Sequence, residues 1–297
     1  MTKVFAKVSN VAVRNPNLSP TARTIYTYIC FNGFDEEYVQ MKPYSLKELL
    51  SFTNLSSSSR NLKQIKESLS SLVDLKSIEV FDSILMLESL DVMSLKENDL
   101  FYIKATEKFY ENLTEPYDEE MEGDKGFFTA VYKEDFIKFI SLSKSIENKS
   151  INIPKLMTAY LVILSRANID KGDGKSNKVS FETTEDLSSI AGLNKKTFEK
   201  YVKLLCDLQL IFKLTVRVSS IKRKNVYARW CDRNMPVLMG DENKSHVFTY
   251  INIVSINGSE ISQSDALSIS ELLKMTDVGN VSQEWVDSNV LSILETD

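Results

Sequence analysis

From Asn194 to Trp230 the chain reads NKKTFEKYVKLLCDLQLIFKLTVRVSSIKRKNVYARW. Phe198, Tyr201, Val202, Leu205 and Leu208 recur at helical spacing, while Lys196, Lys200 and Lys203 fall on the opposite face. One face packs and the other offers charge. An apolar strand from Leu210 to Val218 follows, then the polar turn Ser219 to Lys224, then a second strand from Val226 to Trp230. The stretch holds ten Lys or Arg against Glu199 and Asp207, a local net charge of +8.

Working outward, a short helix is expected from Thr184 to Ala191, with Gly192 in the turn, and a longer one from Ile153 to Ala167. The same order occurs earlier in the chain, after an opening from Val4 to Val13 that reads as extended. Ser19 is placed to cap a helix whose first residue is Pro20, where a missing N–H is harmless, and which carries Ala22, Ile25, Tyr26, Ile29 and Cys30 on one face. A short helix starting at Ser45 holds Leu46, Leu49 and Leu50, the polar run Thr53 to Ser59 makes a turn, and a third helix buries Leu62, Ile65, Leu69 and Leu72. Strands are expected near Ser77 to Phe81 and Leu100 to Lys104, with Asp82 to Asn98 as a long wing or extra helix. Tyr26 matches Tyr160, Leu49 matches Leu187, Leu55 matches Leu193 and Leu69 matches Leu205, at offsets between 134 and 138. A near-constant offset carried by core positions is the mark of a duplicated unit.

Helix, helix, amphipathic helix and two strands around a polar tip is the winged-helix pattern. The expected fold class is therefore mainly α with small β-hairpins (α+β), as tandem winged helix-turn-helix domains plus an acidic C-terminal extension. The expected divisions are a first domain over 1–106, an acidic linker over 107–126, a second domain over 127–233, and a C-terminal interaction or regulatory segment over 234–297. The linker rests on composition: Glu107 to Glu147 holds eleven acids against five Lys, densest at Glu115 to Glu122 around Pro116. The tail holds ten Asp or Glu against two Lys, a net −8, yet Leu267, Ile269, Leu272, Leu273, Trp285, Val290 and Leu294 could bury a face.

With 297 residues, 43% hydrophobic and 26% charged, the chain is long enough for two ordinary cores. Its net charge of −5 hides the polarisation between the basic stretch and the acidic tail. Cys30, Cys206 and Cys231 are far apart, without metal-binding spacing or an even count, which suits a reducing cytoplasm. Neither a membrane span nor a secretory h-region is legible, so cytoplasmic localisation is expected.

Enzyme chemistry has little to work with. His246 is the sole histidine and has no nucleophile signature around it. Gly172-Asp173-Gly174-Lys175-Ser176 ends like a P-loop, but Ile169 stands where the first glycine is required. From Asp170 to Glu182 the acidity suggests a calcium loop, yet Gly172 and Gly174 occupy ligand positions and Phe181 replaces the bidentate Glu. No catalytic residue, metal or cofactor is expected.

Double-stranded DNA is the expected partner. Lys195 and Lys196 stand at a helix N-terminus, where the dipole disfavours cations by about 0.3–1 kcal/mol each, so something other than helix stability selects them. With Thr197, Lys200 and Lys203 they form the candidate reading face, and Lys222, Arg223 and Lys224 form a cationic wing tip for a minor groove or phosphates. In the first copy the candidates are Ser57, Arg60, Asn61, Lys63 and Gln64; Arg and Gln suit guanine and adenine edges. Residues 1–106 hold twelve bases and twelve acids, so this copy reads sequence weakly or packs against a partner.

Phe5-Ala6-Lys7-Val8, followed by Leu18-Ser19-Pro20-Thr21-Ala22-Arg23-Thr24-Ile25-Tyr26, resembles the opening of winged-helix replication proteins of Gram-positive plasmids and phages. Asp186-Leu187-Ser188-Ser189-Ile190-Ala191-Gly192-Leu193 looks like the helix-turn-helix core shared by those proteins and many repressors. The similarity covers residues 1–106 and 127–233. It implies a non-catalytic initiator binding origin repeats and recruiting host replication proteins. A transcriptional repressor is the alternative in the same class, and a winged-helix protein-interaction scaffold the alternative in another. The segment 234–297 is expected to contact a replication or transcription partner, mediate self-association or shield the basic unit, the alternative being an extension that simply completes the second core.

Overall fold

The computed structural model describes residues 5–33, 42–85, 87–114, 128–144, 151–169, 177–217, 222–238, 253–276 and 280–295. The protein is α+β, with small antiparallel sheets among the helices. It divides into two compact units: residues 1–165 with 189–193, and residues 166–188 with 194–297.

Unit 1 runs β1 (Phe5–Ser9), α1 (Asn10–Arg14), α2 (Pro20–Gly33), α3 (Leu46–Phe52), α4 (Ser59–Asp74), β2 (Ile78–Phe81), β3 (Tyr102–Ala105), α5 (Glu107–Thr114), β4 (Phe128–Tyr132), α6 (Lys133–Lys144) and α7 (Ile153–Ser165). Ser19 caps α2 as expected, its Oγ accepting from the Ala22 N–H at 3.0 Å. Ser45 and Ser58 do the same for α3 and α4. Ile25, Tyr26 and Ile29 of α2 are buried in the same unit as Ile65, Leu69 and Leu72 of α4. β2 pairs with β3, and Tyr44, just before α3, bridges Phe101 at the start of β3.

Three expectations are corrected here. The opening extended segment is short, since Ser9 caps α1 and turns the chain into helix. The linker expected over 107–126 begins as a helix: α5 buries Phe109 and Asn112, and the Ser9 hydroxyl donates to the Asn112 carbonyl at 3.2 Å. Acidic composition concealed an amphipathic turn; residues 115–126 lie outside the described residues. The expected boundary at 127 also falls inside unit 1. β4 pairs with β1 from Phe5↔Tyr132 to Ser9↔Phe128, and α7 is buried at every position except Lys155. A helix apolar all round needs neighbours on every side. In unit 1 it has them in α1, α2, β4 and α6, with Arg14 donating to Ser165 and Thr24 to the Pro154 carbonyl.

Unit 2 contains β5 (Asn168–Ile169), β6 (Asn177–Ser180), most of α8 (Thr184–Ala191), α9 (Lys195–Asp207), β7 (Ile211–Arg217), β8 (Arg223–Arg229), α10 (Asn234–Leu238), β9 (Ile253–Ile256), β10 (Ser259–Glu260), α11 (Gln263–Met275) and α12 (Gln283–Val286). Its antiparallel sheet has the order β10-β9-β7-β8-β6-β5. Along β7 the period of two puts Phe212, Leu214 and Val216 on one face and Lys213 and Thr215 on the other. The apolar face is fully buried, and Ile253, Ile256, Ala266, Ile269, Val286 and Val290 belong to the same core.

The segment expected over 234–297 therefore completes the unit 2 core rather than forming a unit of its own. The tail supplies strands β9 and β10, with β9 pairing along β7, and the apolar cover of β7, at about 1.5–3 kcal/mol for each large aliphatic side chain buried. Its charge stays outside, as at Glu260, Glu271 and Glu284. Arg233 fastens it further, with Nε and Nη2 donating to the two Asp287 oxygens at 2.7 and 2.6 Å while its guanidinium lies 5.5 Å from the Trp230 ring centre.

Corresponding backbone features recur across the repeat. Left-handed residues end α3 at Asn54, α8 at Gly192, α4 at Lys76 and α9 at Gln209. After α4 the Lys76 and Ser77 N–H groups return to Val73 and Leu72, and after α9 those of Gln209 and Leu210 return to Cys206 and Leu205. Both are Schellman closures, which satisfy orphan helix-end carbonyls. In each copy the stretch before the short helix pairs with the second hairpin strand: Tyr44 with Phe101, and Val179–Ser180 with Ala228–Tyr227.

Candidate nucleic-acid interface

Asn194 positions α9, its side-chain oxygen accepting from the Thr197 N–H at 2.8 Å. Phe198, Tyr201, Val202 and Leu205 are buried, which leaves Lys195, Lys196, Lys200 and Lys203 exposed and Thr197 half-buried. The four lysines are not equivalent. Lys195 donates to Glu185 in the first turn of α8, and this hydrogen bond raises the lysine pKa and lowers that of the carboxylate. Lys196, Lys200 and Lys203 form no ion pair among the described residues. The structure thus brings three expected cations onto one solvent face and turns the fourth toward α8.

The hairpin β7–β8 of the same unit carries further cations. Its register sets Arg217 opposite Arg223, Val216 opposite Lys224 and Thr215 opposite Asn225. Lys222 and Arg223 are exposed and Lys224 is half-buried; Val218 to Ile221, the rest of the expected tip, lie outside the described residues. Arg217 was not among the expected contacts. Like charges directly across a ladder are unfavourable, so Arg217 beside Arg223 needs a reason beyond the fold. Pairing the two strands in sequence would have found it, because Arg217 lies six residues before Arg223 across the turn.

On the polar face of the same hairpin, Thr215 donates to Asn225 at 2.9 Å, Asn225 donates to Thr184 at 3.1 Å, and the Thr184 and Tyr227 hydroxyls lie 3.4 Å apart. The chain of bonds ties the wing strands to the start of α8. Burial pushes the Tyr227 hydroxyl up to about 12 and lowers the ammonium of Lys213, which sits 6.0 Å from that ring's centre. Lys213 is a sheet residue, not a surface cation.

Unit 1 treats its candidates differently. Gln64 donates to the Thr21 hydroxyl at 2.7 Å, and Asn61 donates to the Ser56 carbonyl at 2.9 Å and its hydroxyl at 3.2 Å. Both amides are engaged within unit 1. Lys63 pairs with Glu67 at 3.7 Å, while Ser57 and Arg60 remain exposed. The expected wing, Asp82 to Asn98, folds back: a single 3-10 turn at Val92–Ser94 packs on α4, and Lys66 donates to the Met93 carbonyl at 2.9 Å.

Among the described residues no cluster of three or more His, Cys, Asp or Glu is arranged for a metal, and no helix is long and apolar enough to cross a membrane. His246 and the Gly172–Ser176 loop lie outside the described residues. No protein-family model, curated protein or solved structure matches the chain.

Proposed function

We propose that the chain is a non-enzymatic, sequence-specific double-stranded DNA-binding protein of a mobile element, built on two winged helices and acting in the cytoplasm as a replication initiator at origin repeats. The observation that carries DNA binding is the exposed row Lys196, Lys200 and Lys203 on α9, together with Arg217, Lys222 and Arg223 on the hairpin of the same unit. A helix of this polarity beside a basic hairpin supplies a groove reader and a phosphate clamp from one unit. The initiator role rests on the resemblance of Leu18 to Tyr26 and of Asp186 to Leu193 to plasmid and phage replication proteins.

Titration of labelled duplexes across salt tests the reading. With four to six phosphate contacts, log affinity falls against log salt with a slope of about −4 to −5. A salt-insensitive or undetectable interaction would remove DNA from the proposal. Selection of bound sites from random duplexes, mapped onto the surrounding genome, separates the roles: direct repeats at an origin favour initiation, and a palindrome over a promoter favours repression.

A further inference from the structure

The tip of the β2–β3 connection in unit 1 has a surface unlike that of the basic hairpin. Of the eleven large apolar side chains exposed among the described residues, five lie between Ile84 and Leu100. Ile84, Leu85 and Leu87 are 54, 71 and 80% exposed within four positions. Such a cluster marks an interaction site when it is held in place rather than collapsed. Here the base is held. Phe81 bridges Ser89, the Leu90 N–H donates to the Val80 carbonyl at 2.8 Å, and Val92 and Leu95 are buried. The return limb is therefore anchored while the tip stands out, which lowers the ordering cost of a contact.

Charge decides what fits. Residues 82–99 carry Asp82, Glu88, Asp91, Glu97 and Asp99 against Lys96 alone. This surface repels phosphate and anionic lipid. Placed tip to tip with a second copy, it would oppose like charges around the apolar contact. A partner with apolar residues on one side and cations beside them satisfies both features at once. We infer that the tip formed by Ile84, Leu85 and Leu87 is a docking site for a basic amphipathic helix of another protein, these side chains entering its apolar face and Asp82 and Glu88 meeting its cations. This is independent of DNA binding by unit 2.

The full-length protein is titrated with a labelled 18-residue leucine–lysine amphipathic peptide and, in parallel, its leucine–glutamate counterpart. Fluorescence anisotropy is followed with and without duplex DNA. The wild type binds the lysine peptide in a salt-sensitive manner and leaves the glutamate peptide unbound. The combined Ile84→Ser, Leu85→Ser and Leu87→Ser variant, whose thermal melt is unchanged because these side chains are exposed, weakens the lysine peptide about tenfold or more. Asp82→Asn with Glu88→Gln, which keeps the apolar tip, weakens it about threefold and flattens the salt dependence. Equal binding of both peptides, or no change in the triple-serine variant, overturns the assignment. So does a wild-type dimer in sedimentation that the triple-serine variant loses, which would make the occupant a second copy. A fall in DNA affinity in that variant would reassign the tip to DNA.

Discussion

Units 1 and 2 share a local grammar and present opposite surfaces. In both matched stretches of sequence, a short helix and an amphipathic helix end on left-handed residues, and a hairpin strand returns to pair with the stretch before the short helix. Yet α9 presents Lys196, Lys200 and Lys203, whereas α4 spends Asn61 and Gln64 on its own turn and on α2. The hairpin of unit 2 ends in Arg217 opposite Arg223, and the equivalent connection in unit 1 ends in an acidic, apolar tip. The lesson is that core positions and helix caps carry the scaffold, while binding character is set by a handful of outward residues that packing does not constrain.

The most severe way to break this comparison is to remove what only unit 2 has. Truncation after Arg233 takes away β9 and the side chains of Ile253, Ile256, Ile269, Val286 and Val290 from its core. With each worth about 1.5–3 kcal/mol as an upper estimate, the loss is as large as the whole stability of a typical domain. Calorimetry should show the unit 2 transition abolished and the unit 1 transition kept, with DNA binding lost. A preserved second transition would restore the tail as a separate segment.

Next in size is the contrast between the two amphipathic helices. Changing Lys196, Lys200 and Lys203 together to Ala should weaken DNA binding by about 100-fold or more and reduce the salt slope by about 3, with an unchanged melt. Arg60→Ala with Lys63→Ala in unit 1 should leave affinity within about twofold. Comparable losses from both sets would mean that both helices read DNA.

Alkaline pH sharpens the comparison through buried acids. Burial pushes the Cys206 thiol of unit 2 from its ordinary 9.0 to about 12 and the Tyr227 hydroxyl from 10.0 to about 12. Folding favours their neutral forms, so the stability they contribute is fully present below about pH 9 and is lost as pH rises toward 12. In unit 1, Cys30, Tyr26 and Tyr44 act in the same sense, while Arg23, lowered by burial from 12.5 to about 10, acts in the opposite sense above pH 10. Urea midpoints should therefore fall between pH 8.5 and 10.5. Cys206→Ala should start from a lower midpoint and lose less over that interval. An equal loss in the variant would exclude the thiol as a contributor.

The smallest expected effect concerns Lys195. Glu185→Gln weakens its contact with α8 and removes one negative charge beside the basic face, so DNA affinity should rise by about twofold at low salt. A fall in affinity would show that the pair instead holds α9 in its binding position.

Sequence reading found the helix faces because apolar spacing is a direct consequence of helical geometry. Phe198, Tyr201, Val202 and Leu205 are all buried as the spacing requires, and Ser19 caps where Pro20 indicates. It divided the chain wrongly because similarity between repeats does not say which helix packs on which. α7 matches α2 along the sequence, but the chain also packs it against α2. The tail misled for a related reason: net charge is legible residue by residue, whereas pairing of β9 with β7 is a long-range choice. Among the candidate site residues, exposed lysines could be placed from the pattern alone. Asn61 and Gln64 could not, since an amide that suits a base edge suits Ser56 or Thr21 equally well. Arg217 needed the hairpin register.

The pairing of β9 along β7 also gives this protein a timetable. A ribosome emits Arg217 and the basic hairpin well before Ile253, so during synthesis the outer edge of β7 and its apolar face wait for the strand and helices that will cover them. Helix α9 is made early, but the unit that holds it matures late. The cover of β7 is complete only when residues through Val290 have been made.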